Sequence, residues 1–345
     1  MSEIYLVFVV FLFVLAVFDL MVGVSNDAVN FLNSAIGAKV AKFRTIIIVA
    51  AVGVFMGATM SNGMMEVARN GVFHPAMFSL KELMFIFLAV MISDVILLDI
   101  FNNLGLPTST TVSLVFELLG GTTAFVLLKL ANDTTGLTVG DLMNTEKALG
   151  MIMAIFVSVA IAFFFGIVLQ YISRLVFTFT YKKNLKWKIG IFGGVATTAI
   201  FYFMLFKGIK SMSFVTPEIY EYIQNHTLAI LGICFLASTA IMQFLYFLKV
   251  NVFKILVLMG TFALAMAFAG NDLVNFIGVP LAGYSAYTDF AASGASDPST
   301  FMMSSLEGPA KSPMIFLVAA GAVMVFSLAT SKKAHNVIKT SVDLS

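Results

Sequence analysis

The chain has 345 residues, of which 60% are hydrophobic and only 11% charged. Soluble globular chains carry about 25% charge, so this composition excludes a soluble domain and implies an all-α, polytopic transmembrane protein. A net charge of +2 is too small for a nucleic-acid partner, a single cysteine (Cys234) excludes an internal disulfide, and three scattered histidines make no metal-ligand spacing.

Taken in order, nine apolar runs are expected to cross the bilayer. The first, about Ile4 to Ala38, covers 35 residues, roughly 52 Å if wholly helical, well beyond a hydrocarbon core of about 30 Å. It carries a polar cluster, Ser25, Asn26, Asp27 and Asn30, deep in apolar surroundings. The second run covers about Thr45 to Met64 and holds Gly53 and Gly57, a spacing that permits close helix packing. The third, about Leu83 to Ile100, carries Asp94 and Asp99, with Asn102 and Asn103 beyond it. Pro107-Thr-Ser-Thr-Thr111 follows, then a fourth run to Leu130 that contains Glu117. The remaining runs are about Ala148 to Val176, Ile189 to Phe206, Leu228 to Leu248, the stretch beyond Lys254, and Pro313 to Thr330. A Gly/Ser/Asp-rich loop is expected from Gly283 to about Lys311.

Basic residues favour the cytoplasmic side. Residues 39–44, 174–188, 249–254 and 332–339 are then cytoplasmic and the acidic loops external, with only the segment near Lys207 and Lys210 dissenting.

The polar cluster recurs. Met266-Ala-Phe-Ala-Gly-Asn-Asp-Leu-Val-Asn-Phe276 aligns with Met21–Phe31 at an offset of 245, identical in six of eleven places. The alternation of sides makes the two copies cross the membrane in opposite directions. That is the pattern of inverted-topology repeats, with a site near the midplane at broken or re-entrant helices. The expected organisation is 1–146 as the first repeat, 147–248 as connecting helices, and 249–345 as the start of the second.

Intramembrane carboxylates are costly and mark function. A helix unwound at Asn26-Asp27 exposes a terminus suited to an anion, while freed carbonyls and the Asp carboxylate suit a small hard cation. Thr108, Ser109, Thr110 and Thr111 place hydroxyl donors at a Pro-marked helix start. No Lys or Arg lies mid-span, so a bound oxyanion needs hydroxyls, helix ends and co-bound cations, the cations held by Asp27 and Asp272. A cation channel or cation/proton exchanger built on the same two acids is the alternative. It leaves the hydroxyl cluster idle. No nucleophile–base set lies in the spans, so an enzyme is not expected. Asp94, Asp99, Asn102 and Asn103 are read as cytoplasm-facing, capping or cation-pathway groups, Glu117 as a proton-handling or paired carboxylate, and Cys234 as an inert thiol.

Gly23-Val-Ser-Asn-Asp-Ala-Val-Asn30, Ala269-Gly-Asn-Asp-Leu-Val-Asn275 and Leu106-Pro-Thr-Ser-Thr-Thr-Val-Ser113 resemble the motifs of the PiT-type inorganic phosphate transporters. The resemblance implies a symporter that imports phosphate with sodium or protons. Phosphate would then lie on Asn26, Asp27, Asn30, Ser109, Thr110, Thr111, Asn271, Asp272 and Asn275. The coupling cation would lie on Asp27, Asn30, Thr108, Asp272 and Asn275, with Asp27 and Asp272 as the sodium ligands. It also implies no cofactor, a lipid bilayer as surroundings, a multi-pass location in a bacterial inner (plasma) membrane, and leaves a homodimer open. Where the family pattern has a histidine after Ser-Thr-Thr, this chain has Val112, which tilts the expectation toward sodium. The offset of 245 carries Thr108 beyond Ser345, so the sequence is expected to be an N-terminal portion lacking a second hydroxyl segment.

Overall fold

The computed structural model describes residues 2–61, 67–132, 136–178, 185–208, 216–308 and 312–344. Twelve α-helices are seen among them: α1 (Ser2–Gly37), α2 (Phe43–Met60), α3 (Leu80–Leu104), α4 (Thr110–Ala131), α5 (Val139–Leu142), α6 (Thr145–Phe177), α7 (Lys188–Gly208), α8 (Pro217–Asn225), α9 (Thr227–Phe247), α10 (Val252–Ser293), α11 (Met314–Thr330) and α12 (Lys332–Leu344). Seven of these, α1, α2, α3, α4, α6, α9 and α10, are long and apolar enough to span a membrane on their own. The other two expected spans fall short singly: α7 is apolar over Lys188–Met204, and α11 is followed by α12 after a bend of 66°. The chain is an integral, multi-pass, all-α membrane protein.

Local chemistry sets several helix ends. Ser79 and Glu82 form a capping box at the start of α3, and Gly105 closes it in the left-handed region at φ 68°. Ser109 caps α4 by accepting from the Val112 N–H at 3.3 Å.

Two expectations fail here. The first motif was expected to sit at an unwound point, yet α1 runs unbroken through it for 36 residues, about 54 Å. The second motif likewise lies inside α10, a 42-residue helix of about 63 Å that tolerates Pro280 in its interior. The Gly283–Lys311 loop was read from its glycine and serines, but the helix continues to Ser293 and turns at Gly294. Leu281, Ala282, Ala286 and Phe290 are buried there, and that apolar face outweighs the weak helix formers. Part of the basic loop (residues 181–184), the segment about Lys210, and residues 62–66 and 309–311 lie outside the described residues.

The core is built on α1 and α10, which pack antiparallel. Leu12 meets Gly283, Phe13 meets Tyr284 edge-on, Gly23 meets Phe276 and Phe31 lies near Phe268, so along the pair the partner number falls as the α1 number rises. α2 lies along α10, with Gly53 against the Phe262 carbonyl and Gly57 against the Met266 backbone. α11 lies along α1, with Phe316 stacked on Phe13 and Ser327 bonded to the Met21 carbonyl. α3 and α4 complete this cluster, while α7 and α9 form a smaller one with the start of α10 around Ile189, Met242, Val252 and Leu256. Helix α6 buries only Ala148 and Phe177, leaving its apolar length exposed, as a lipid-facing helix requires.

A layer of loops ties the ends together. Arg69, buried, donates to the Ser305 carbonyl at 2.8 Å and to Ser285 Oγ at 3.3 Å. The Leu80 N–H donates to the Phe301 carbonyl and the Met303 N–H to the Phe78 carbonyl, each at 3.0 Å.

Candidate functional site

Both repeated motifs and the hydroxyl segment meet at one place. Helix α1 brings Asp27, 6% exposed, to the start of α4, where Thr110 Oγ1 donates to Asp27 Oδ2 at 3.3 Å. Helix α10 brings Asn275 to the same point: its Nδ2 donates to Thr111 Oγ1 at 2.9 Å, to Thr110 Oγ1 at 3.3 Å and to Asp272 Oδ1 at 3.5 Å. Asp27 and Asp272 also line a shared cleft of about 10 Å³, room for about one water, with Val24, Phe31, Val54, Phe268, Ala269 and Met324. Its walls are otherwise apolar, so the two acids dominate its field.

Asn26 is wholly buried and acts as the clamp between α1 and the turn from α3 to α4. Its Nδ2 donates to Asn102 Oδ1 at 2.9 Å and to the Leu106 carbonyl at 3.1 Å, while its Oδ1 accepts the Thr108 N–H at 2.7 Å. Asn102 in turn donates to the Val22 carbonyl at 2.7 Å. This explains why α1 need not unwind. The polar side chains find partners on other elements, so the backbone keeps its own ladder.

The ends of α2 and α11 touch the two motifs in matching ways. Ser61, the residue closing α2, donates from Oγ to the Gly270 carbonyl at 2.8 Å. Ser331, the residue closing α11, accepts from Ser25 Oγ at 2.7 Å. Ser25 and Gly270 occupy the same position in the two motifs.

The expected site residues divide accordingly. Asn26, Asp27, Thr110, Thr111, Asp272 and Asn275 are joined in the bonds just given. Thr108 takes part through its backbone N–H rather than its hydroxyl. Ser109 is exposed and uses its hydroxyl on the α4 cap. Asn271 is exposed and donates to Asp272 Oδ1 at 3.2 Å. Asn30 is exposed and stands outside the network. It was placed on the Asp27 face by its spacing of three, but the helix turns it away. Ser61, Ser327 and Ser331 escaped the sequence reading, and Asn102 was expected to face the cytoplasm, to cap or to line a cation pathway rather than to hold Asn26. Asn102 sits just beyond an apolar run and the serines at helix ends, where capping explains them equally well. Asp99, for its part, pairs with Lys333 at the surface.

The oxygen set joined by these bonds, Asp27, Asp272, Thr110 and the Asn275 carboxamide, fits a hard cation as cargo. The adjoining amide and hydroxyl hydrogens and the start of α4 fit an anion.

The chain resembles a solved structure described as "The sodium-dependent phosphate transporter", with a TM-score of 0.69 and 19% identity over 98% of this chain and 78% of that one. At that identity the match establishes the fold. No curated protein sequence matches. A family model described as the phosphate transporter family matches residues 23–341. Since that match takes in both motifs and nearly the whole length, the chain belongs to the phosphate transporter family and is a transporter, not an enzyme.

Proposed function

We propose that this protein imports inorganic phosphate by symport with a cation, sodium in preference to the proton, through alternating access about a midplane site. The observation that carries the reading is the continuous set of hydrogen bonds from Asp27 through Thr110 to Asn275 and Asp272. It ties two copies of one motif, on antiparallel helices, to one hydroxyl segment.

In this reading Asn26, Asp27, Ser109, Thr110, Thr111, Asn271, Asp272 and Asn275 supply the phosphate site. Asp27 and Asp272 hold sodium, helped by Thr108 and Asn275. Two like unit charges 4 Å apart repel by about 4 kcal/mol at an effective dielectric of about 20. Phosphate beside two carboxylates therefore needs a cation between them, and each ion lowers the cost of dehydrating the other. The antiparallel packing of α1 on α10, with Ser61 and Ser331 meeting equivalent positions, supports residues 1–146 and 249–345 as inverted repeats joined by 147–248. Residence in a bacterial inner membrane belongs to the same reading. The hydroxyl segment is bonded to both acids' motifs, which a cation channel would not require.

The test is uptake of labelled phosphate into proteoliposomes. An inward sodium gradient should drive it, and Asp27→Asn should abolish the sodium-driven part. Uptake indifferent to sodium or to Asp27→Asn overturns the proposal, and cation currents without phosphate would establish the channel instead.

A further inference from the structure

A second group of acids lies deeper in the same bundle, apart from the phosphate site. Asp19 on α1 and Asp94 on α3 are both wholly buried, and Glu117 on α4 is half-buried. Asp19 stands beside Asp94, and Asp94 beside Glu117. None of their six carboxylate oxygens has a hydrogen-bond partner. An independent feature points the same way: Ser113 Oγ, on a residue only 7% exposed, faces Asp94 and Glu117 and is likewise unpartnered.

Among the described residues, none offers this cluster a counter-charge. The groups that act on this cluster are Asp27, farther along α1, and beyond it Asp272 on α10. Lys129, at the far end of α4, is paired with Glu82 on α3, and Lys333 on α12 with Asp99. Three ionised carboxylates without a cation are untenable in such a medium. The acids also stand in sequence, two by two. Among the described residues no three His, Cys, Asp or Glu side chains converge as a set of metal ligands. Pairwise contact is the arrangement in which carboxyls share protons, each acid donating to the next carboxylate, with Ser113 able to donate or accept at the join.

We infer that Asp19, Asp94, Glu117 and Ser113 form a proton-holding chain, separate from the phosphate site, whose charge sets the affinity for the anion. The link is through shared helices. Asp19 lies two turns before Asp27, about 12 Å along α1, and Glu117 and Ser113 follow Thr111 on α4. One unit charge at about 12 Å, at an effective dielectric of about 20, corresponds to about a tenfold change in affinity. An arriving anion favours an added proton on the chain, and by reciprocity an added proton tightens anion binding by the same factor. This rests on the phosphate reading of the neighbouring site.

The test uses the full chain in lipid nanodiscs. Proton uptake on adding inorganic phosphate is measured for wild type, Glu117→Gln and Asp94→Asn/Glu117→Gln in one buffer, so phosphate's own ionisation cancels. The variants should still bind phosphate, lose the chain's share of the proton uptake, and show a pH dependence of affinity flatter by about tenfold. Infrared spectra without phosphate should show a carboxylic-acid carbonyl band in wild type that shrinks in both variants, a readout that holds whether or not phosphate is the cargo. Unchanged proton uptake, or the absence of that band in wild type, overturns the inference. So does sodium abolishing the band at constant pH, which would make the cluster a metal site. Wild type failing to bind phosphate while the band persists would count against the phosphate reading alone.

Discussion

Gly57→Ala should separate two helices whose backbones are in contact. A Cβ placed on Gly57 would lie 2.0 Å from the Met266 carbonyl oxygen and 2.8 Å from its carbon. Ordinary van der Waals contact begins near 3.4 Å, and the obstacle is backbone, which cannot swing aside as a side chain can. Helix α2 must therefore retreat from α10 by more than an ångström. Overpacking of this kind costs about 1–3 kcal/mol, occasionally more. The damage should grade with distance. At Gly53 the nearest backbone atom is 2.6 Å away, and at Gly270 it is 3.3 Å, whereas Gly120 has open space. Helix propensity alone would favour alanine at Gly120 by up to about 1 kcal/mol. Melting temperatures of the four alanine variants in detergent should fall in the order Gly120, Gly270, Gly53, Gly57, the last the least stable. Sodium-driven phosphate uptake should decline with them, because Met266 lies less than two turns before Asp272. A Gly57→Ala protein melting with Gly120→Ala would refute the close-packing account.

Asn26→Leu removes the partner of the Thr108 N–H and of Asn102 Oδ1, at about 1–3 kcal/mol for each buried group left unpaired; thermal melting should register the loss, and binding of labelled phosphate should weaken with it. Ser109→Ala should cost about 1 kcal/mol through the lost α4 cap, and Ser109→Asn should restore melting; uptake that stays low in Ser109→Asn would show a role for the hydroxyl beyond capping. Lys333→Ala should shift the melting point little, about 0–1 kcal/mol, since both partners are some two-fifths exposed, and the shift should vanish at high salt.

Seven of the nine expected spans, and the paired motifs, were legible because a bilayer imposes long hydrophobic stretches and makes every intramembrane acid conspicuous. Asp27 and Asp272 were found that way, and so was the Gly53/Gly57 contact, whose spacing states its own packing. The sequence was less informative wherever a residue's meaning depends on what lies across from it. Asn30 shares a spacing with Asp27 but not its neighbours. Asn275 keeps the face that its counterpart loses because the α4 hydroxyls lie opposite it. Asn102 reads from its own window as a cap or a cation-pathway group, yet it holds Asn26 in place.

The location of the helix breaks has the same cause. Polar residues deep in an apolar run suggest an unwound backbone if they must satisfy themselves locally. They need not do so when other elements supply the partners. Asn26 is bonded at both amide atoms to Asn102, Leu106 and Thr108, and Ser25 to Ser331. With those demands met from outside, α1 has no reason to open, and an interrupted ladder would only add unpaired backbone groups in hydrocarbon. The breaks fall instead on the segments that supply the partners: the turn from Gly105 to Ser109, and the 66° bend between α11 and α12 at Ser331. The unbroken helices α1 and α10 carry the acids of the two motifs. The broken ones carry the hydroxyls and backbone groups that meet them, so a movement of the bends would alter the site without distorting α1 or α10.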